Sequence, residues 1–373
     1  LLKDFGFKTN RREIIVAQNN LEISEFDFER SLQNTVYDVE EAYWNLVYSI
    51  ENLKVGQRSL ELAQDLLGKN KRAVEIGTMA PIEILNAQAS VATREADILE
   101  AEALVRNNED LLKTTINLAS ELDGSDEMKI IPVDKPAYEQ NKITLDNALS
   151  TALENRPDLN ATRVDLKSKE IDVDYNKNQL LPDLSFQASY WSPGITGNQI
   201  LYLNNNAFTG VVVGTIPGSP SDALKDAFNF KYKNWSVGLT LTIPGKNIFS
   251  RAAYAQAKVN MNQALLRIKN QEQQLYLEIK NAVRAVQTNY KRAQSYRVAR
   301  ELEEKKLEAE EEKFKVGLTI NYFVLQYQRD LAAAQTAELK AIIDYNLSLA
   351  SLNRALGLNL ETKNITISQL IKK

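Results

Sequence analysis

The sequence predicts a mainly α fold of long antiparallel coiled-coil helices, interrupted by a β-hairpin. Three observations predict it. Residues 1–118 overlay residues 241–358 without a gap, a stretch of roughly 64 residues in each copy carries no proline, and the hydrophobic period changes from helical to two after Leu181-Pro182.

The self-match lays Gly77 on Gly317, Leu85 on Leu325, Gln88 on Gln328, Ala92 on Ala332 and Leu99 on Leu339. Only about one position in seven is identical, so the register carries the signal: each copy has a long helical stretch, a single glycine turn and a second helical stretch. The outgoing stretches, 11–74 and 251–314, contain no proline and only Gly56 and Gly68. At 1.5 Å per residue each spans about 95 Å, which suggests a coiled coil. In the second copy Leu275, Ile279, Ala282, Val286, Asn289, Ala293 and Tyr296 advance in steps of four and three, the rhythm of a left-handed supercoil. Asn289 is the polar interruption in that seam.

The turns Ile76-Gly77-Thr78-Met79 and Val316-Gly317-Leu318-Thr319 each place one glycine where a reversing helix needs a left-handed residue. Pro81 suits the first turn of the return helix at about 82–118, and Asn321 is a candidate cap for the one at 322–356. The first helical hairpin thus occupies 1–120 and the second 244–358, with a tail at 359–373. Between them lie an irregular connector at 121–143, marked by Gly124, Pro132 and Pro136, and short helices at 144–182. Thr144 can cap the first of these, and Pro157 breaks the run near Arg156.

Within 183–243 the alternation Leu184, Phe186, Ala188, Tyr190 against Ser185, Gln187, Ser189 is followed by Trp235, Val237, Leu239, Leu241, Ile243 against Ser236, Gly238, Thr240, Thr242. Each segment has the length and dyad pattern of a membrane-barrel strand, with Tyr190, Trp191, Tyr232 and Trp235 where an aromatic girdle would sit. The same alternation fits a half-buried soluble sheet. In the membrane reading Leu184, Phe186, Tyr190, Trp235, Val237, Leu239 and Leu241 face lipid, and residues 192–233 form a long outer loop. Two strands cannot close a barrel, so that reading needs several chains.

Composition narrows the function. The 373 residues include no Cys and no His, which removes thiolate and imidazole metal sites, Cys nucleophiles and His-dependent triads. No catalytic residue, metal site or cofactor is expected. The 45 basic and 49 acidic residues are interspersed, with no basic block for nucleic acid. The acidic run Glu301–Glu312 reads as a solvated helix face beside Lys305, Lys306 and Lys313, in preference to a carboxylate pair of the glycosidase kind. No apolar run reaches about 18 residues, so any membrane insertion must use strands. The chain starts Leu1-Leu2-Lys3, as expected of a mature form or a fragment.

Short motifs complete the pattern: Ala148-Leu149, Arg156-Pro157-Asp158-Leu159, Leu181-Pro182-Asp183-Leu184, then Ile84-Leu85-Asn86-Ala87 and Val324-Leu325-Gln326-Tyr327 after the two glycine turns, and the ending Leu352-Asn353-Arg354-Ala355-Leu356-Gly357. In order and spacing they resemble the TolC-like outer-membrane efflux family along nearly the whole chain. The resemblance implies a homotrimer whose helices form a periplasmic α-barrel and whose strands join in one β-barrel in the outer membrane of a Gram-negative envelope. It implies passive export of small molecules or proteins, as the duct of a tripartite efflux or type I secretion system with a periplasmic adaptor and an inner-membrane transporter. By the internal repeat, a first strand hairpin would precede Leu1, so the chain is expected to be N-terminally truncated. In the family the two tips dock the adaptor, here Gly77, Thr78, Met79, Gly317, Leu318 and Thr319, and acidic residues narrow the tunnel mouth. The mapped positions are Glu83, Asn86, Phe323 and Gln326; Glu83 keeps an acid, while Phe323 and Gln326 depart from the doubled acidic pattern and argue against a cation-binding carboxylate ring. Glu83 also reads as an ordinary first-turn acid favoured by the helix dipole. The competing reading of the whole chain is a soluble coiled-coil scaffold or adaptor.

Overall fold

The computed structural model describes residues 2–118, 128–140 and 142–366, so parts of the expected connector and tail lie outside the described residues. A short α1 (Phe7–Asn10) precedes α2 (Arg12–Glu75), which is continuous through its 64 residues; α3 (Ile82–Thr115) returns. After the connector come α4 (Leu145–Asn155) and α5 (Pro157–Asn178), then β1 (Asp183–Trp191), β2 (Gln199–Tyr202), β3 (Val212–Ile216), α6 (Pro220–Phe228) and β4 (Asn234–Thr242). The chain closes with the 68-residue α7 (Ile248–Lys315), α8 (Asn321–Leu356) and a short α9 (Asn359–Thr362). The chain divides into two compact units, Leu1–Asn19 with Leu166–Ala264, and Asn20–Asp165 with Leu265–Lys373.

The larger unit is held by heptad seams. Leu275, Ile279 and Val286 of α7 are buried with Tyr345, Leu352 and Ala355 of α8 and Ala148 and Ala152 of α4. Burying each large side chain contributes about 1.5–3 kcal/mol. Asn289, the polar interruption, donates through Nδ2 to the Asp344 carbonyl at 3.3 Å, so it stays in the seam with a partner.

The α4–α5 break falls at Arg156, whose backbone is extended because the following Pro157 excludes the helical region. Arg156 donates from Nε and Nη2 to the two carboxylate oxygens of Asp158, both at 2.8 Å, and pairs with Glu278 of α7 at 3.1 Å. Burial pushes the Asp158 carboxyl up, but the bonds and charge of Arg156 outweigh it and hold the group below its ordinary value. A Cβ on Gly357 would lie 2.8 Å from the Asn155 carbonyl oxygen, so only glycine admits this contact between the end of α8 and the end of α4.

Thr144 does stand at the α4 cap position, with extended backbone, but its side chain makes no capping bond. The expected cap at Asn321 moves by one residue: Ile320 holds the extended cap conformation of α8 and Asn321 is its first helical residue, free to use its amide elsewhere.

In the smaller unit β1 and β4 pair antiparallel in a register that runs from Asp183 opposite Thr242 to Trp191 opposite Asn234. The ladder stops at Thr242, one residue short of Ile243. The expected outer loop is not irregular throughout. Its β2 and β3 form a second two-stranded ladder, and α6 starts at a capping box in which Ser219 and Asp222 serve each other's backbone amides. In the same unit Arg12 pairs with Asp172 at 2.6 Å and lies over the Tyr175 ring at 4.6 Å.

Candidate functional site

Two helix reversals and one strand pair carry the residues singled out by sequence. The reversals share one backbone design. Gly77 and Gly317 both have φ of 77°, where a Cβ is strained and glycine is not. Gly77 N–H donates to the Val74 carbonyl at 3.0 Å and Thr78 N–H to that of Ala73 at 2.9 Å; Gly317 donates to Phe314 at 3.1 Å and Leu318 to Lys313 at 2.9 Å. These two bonds satisfy the carbonyls that a helix end leaves open, which is why the repeat keeps one glycine in the same place in each copy.

The side chains around the turns differ. Thr78 returns its hydroxyl to the Ala73 carbonyl at 2.9 Å. Thr319 instead donates its hydroxyl to the Glu310 carboxylate, whose other oxygen accepts from Lys313 at 3.1 Å. The Thr319 hydroxyl and the Lys313 ammonium hold the Glu310 carboxyl below its ordinary value.

The two turns meet. A cavity of about 690 Å³ is lined by Asn70, Thr78, Met79, Glu83, Gly317, Thr319 and Asn321 among others. Across it Asn321 Nδ2 donates to Glu83 Oε2 at 3.0 Å, and Asn86 Nδ2 approaches the same oxygen at 3.4 Å. Glu83 and Asn86 therefore sit together at the contact between the hairpins. Phe323 does not join them; its ring packs against Tyr322 and Tyr327 at centroid distances of 5.5 and 6.4 Å. Gln326 is half-buried and makes no bond to the Glu83 group. Asn321, only 2% exposed, is the residue that sequence reasoning missed as a site member. Its signal was a polar side chain next to a turn, which reads equally as a cap. Among the described residues no group of three or more acidic side chains is placed to hold a metal ion.

Leu318 is 78% exposed, and Ile76, Val316 and Ile320 around the turns are exposed as well. The charged helices thus end in an uncovered apolar tip.

In the strand pair the register sets Leu184 opposite Leu241, Phe186 opposite Leu239, Ala188 opposite Val237 and Tyr190 opposite Trp235. Pleating puts these eight residues on one face. Ser185 with Thr240, Gln187 with Gly238 and Ser189 with Ser236 take the other, where the two serine hydroxyls lie 2.7 Å apart. Trp191 pairs with Asn234 on the polar face, while the Tyr190 ring stacks on Phe230 at 5.5 Å. The apolar face is bare, with Trp235 73% and Leu239 67% exposed. Among the described residues no helix is long and apolar enough to cross a membrane.

Comparison with known proteins agrees with this anatomy. The family model for outer membrane efflux proteins matches residues 5–118 and 148–358. No curated protein matches the chain by sequence. Among solved structures the chain is similar to the outer membrane protein VceC of Vibrio cholerae, at a TM-score of 0.68 and 16% identity over 95% of this chain and 77% of that one. It is similar to the CmeC outer membrane channel of Campylobacter jejuni (TM-score 0.66, 17% identity, 98% and 74% covered) and to the MtrE outer membrane channel of Neisseria gonorrhoeae (0.66, 18%, 94% and 72%). At these identities the structures speak for the fold, and the family model speaks for the membership. Paired helical hairpins with glycine turns, a strand pair with an apolar and a polar face and a family match over most of the chain lead to one conclusion: this protein belongs to the outer membrane efflux protein family and is an outer-membrane efflux component, not an enzyme.

Proposed function

We propose that the chain is one protomer of a homotrimeric duct through which substrate passes passively, while an inner-membrane transporter supplies the energy and a periplasmic adaptor joins the two. The observation that carries this reading is the register of β1 and β4. With Trp191 at the strand end as the exception, it sorts apolar from polar side chains and leaves the apolar face exposed. An isolated two-stranded ribbon is marginal in water, and in hydrocarbon its open edges would leave backbone groups unsatisfied. Strands from further copies remove the edges by closing a barrel, with Leu184, Phe186, Tyr190, Trp235, Val237, Leu239 and Leu241 turned to lipid and Ser185, Gln187, Ser236 and Thr240 to the lumen.

Gly77, Thr78, Met79, Gly317, Leu318 and Thr319 form the adaptor-docking tips, for which the exposed apolar residues at the turns argue. Glu83, which accepts from Asn86 and Asn321, stands with Asn86 at the tunnel mouth, with Phe323 and Gln326 as further mouth residues. The test uses the full-length protein extracted in detergent. A trimeric mass is expected, with Leu239→Lys losing assembled trimer because a lipid-facing Lys costs about 2–4 kcal/mol near the midplane and Thr240→Lys retaining it. Monomers only, or equal defects in the two variants, contradict the reading.

A further inference from the structure

Between β3 and β4 the helix α6 is fastened on one side and bare on another. It opens at the capping box of Ser219 and Asp222. The segment leaving β1 holds it: the Thr196 hydroxyl donates to the Ser219 carbonyl at 3.0 Å, the Ser192 hydroxyl to the Asp226 carbonyl at 3.3 Å, and Gly194 lies so close to the Ala223 carbonyl that a Cβ there would clash. Ala223, Asp226 and Ala227 of α6 are half-buried by this packing. Leu224 and Phe228, one turn apart, share a different side and are 61% and 81% exposed. An apolar side on a helix held this firmly is a surface for a partner.

The neighbouring aromatic residues indicate which partner. The Phe230 ring, two residues beyond the end of α6, stacks on Tyr190 at 5.5 Å with the ring planes 6° apart, and Tyr190 belongs to the apolar face of the strand pair. Phe230 thus carries that face past the end of β1 toward α6. Charge points the same way. Residues 219–233 hold three lysines against two aspartates. Asp222 is engaged in the capping box and Asp226 pairs with Lys231 at 3.0 Å, while Lys225 and Lys233 have no ion pair among the described residues. A short helix with Leu and Phe on one side and spare lysines beside them suits the plane of a membrane interface, where the apolar residues enter the headgroup–acyl boundary and the lysines meet anionic headgroups.

We propose that α6 is an interfacial lipid-binding helix: Leu224 and Phe228 enter the bilayer that β1 and β4 cross, and Lys225 and Lys233 contact the phosphates of anionic lipid. The proposal rests on the reading of the strand pair as part of a lipid-embedded barrel, and it gives the loop beyond the strands a ligand of its own.

The absence of cysteine from the 373 residues suits site-directed spin labelling. Nitroxides at Leu224→Cys, Phe228→Cys, Leu239→Cys and, as a solvated control, Lys305→Cys are compared in the full-length protein in vesicles of phosphatidylethanolamine and phosphatidylglycerol. Power saturation is read with oxygen, which concentrates in hydrocarbon, and with a water-soluble nickel chelate. The oxygen-to-nickel ratio at Leu224 and Phe228 is expected to be severalfold above that at Lys305 and to approach that at Leu239. In neutral phosphatidylcholine vesicles, or with Lys225→Gln and Lys233→Gln together, the ratio at Phe228 should fall toward the Lys305 value while that at Leu239 stays. Circular dichroism and trimer mass of the same preparations show that each variant has folded. Water-like ratios at Leu224 and Phe228 beside a lipid-like Leu239 overturn this proposal alone. Lipid-like ratios that ignore both the lysines and the headgroup charge overturn it as well, because the contact is then not with anionic lipid. Low access to both relaxing agents means that α6 packs on a neighbouring copy, and this too overturns it. A water-like ratio at Leu239 sinks the barrel reading itself, and this proposal with it.

Discussion

The turn at Gly77 and the turn at Gly317 have the same backbone, down to the φ of 77° and the pair of bonds that close each helix, yet their side chains do different things. At the first, Thr78 serves only its own helix end. At the second, Thr319, Glu310 and Lys313 make a charged clasp, and Asn321 reaches across to Glu83 of the first hairpin. The repeat preserves what the chain needs in order to reverse and leaves the rest free to diverge. Chemistry specific to one hairpin is thus the better guide to what each tip does.

The largest effects should come from the shared part. Gly77→Pro and Gly317→Pro each force a residue locked near φ of −65° into a left-handed position and remove a donor, at a cost of about 3 kcal/mol or more in the turn. Both are expected to abolish export by the full-length protein while its trimer, judged by mass, persists. Gly317→Ala should be milder, about 1 kcal/mol, because nothing lies near its added Cβ and only the backbone strain is felt. Gly357→Ala should cost more than Gly317→Ala in thermal unfolding, since its Cβ also meets the Asn155 carbonyl; equal costs would break the comparison.

Next in size is the bridge between the hairpins. A double-mutant cycle of Glu83→Gln and Asn321→Ala should return a coupling of about 0.5–1.5 kcal/mol, as for one ordinary hydrogen bond. The same cycle with Asn321 and Gln326 should return none.

The smallest effect is one of pH. Because the folded Glu310 carboxyl lies below its ordinary value of 4.5, the clasp contributes fully above that value and is lost as pH falls through the lowered one. Amide protection at Leu318 and Thr319, corrected for intrinsic exchange, should fall in acid, while that at Thr78, bonded to an uncharged carbonyl, should not.

The long helices were legible because proline is absent from them and a single glycine ends each outgoing one, and the strand faces because a period of two survives any choice of partner. What stayed hidden depends on packing between distant segments. Asn321 looks like a cap until the other hairpin places Glu83 beside it. Arg94, flanked in sequence by Glu95 and Asp97, reads as a solvated charge until α2 and α8 enclose it. The capping box at Ser219 and the β2–β3 ladder were lost within a stretch whose asparagines and glycines suggested only loop. The motif Arg156-Pro157-Asp158-Leu159, one of those that carried the resemblance, serves architecture: it fastens α4, α5 and α7 together.

The central claim is that the exposed apolar tips are where the channel meets its partner. Leu318→Asp tests it most directly, because Leu318 is 78% exposed and its removal disturbs no packed core. Export of a fluorescent dye and the level of trimer are to be measured together in cells carrying the full-length variant. Lost export with normal trimer is the predicted result; normal export with normal trimer would mean that the tip is only a turn.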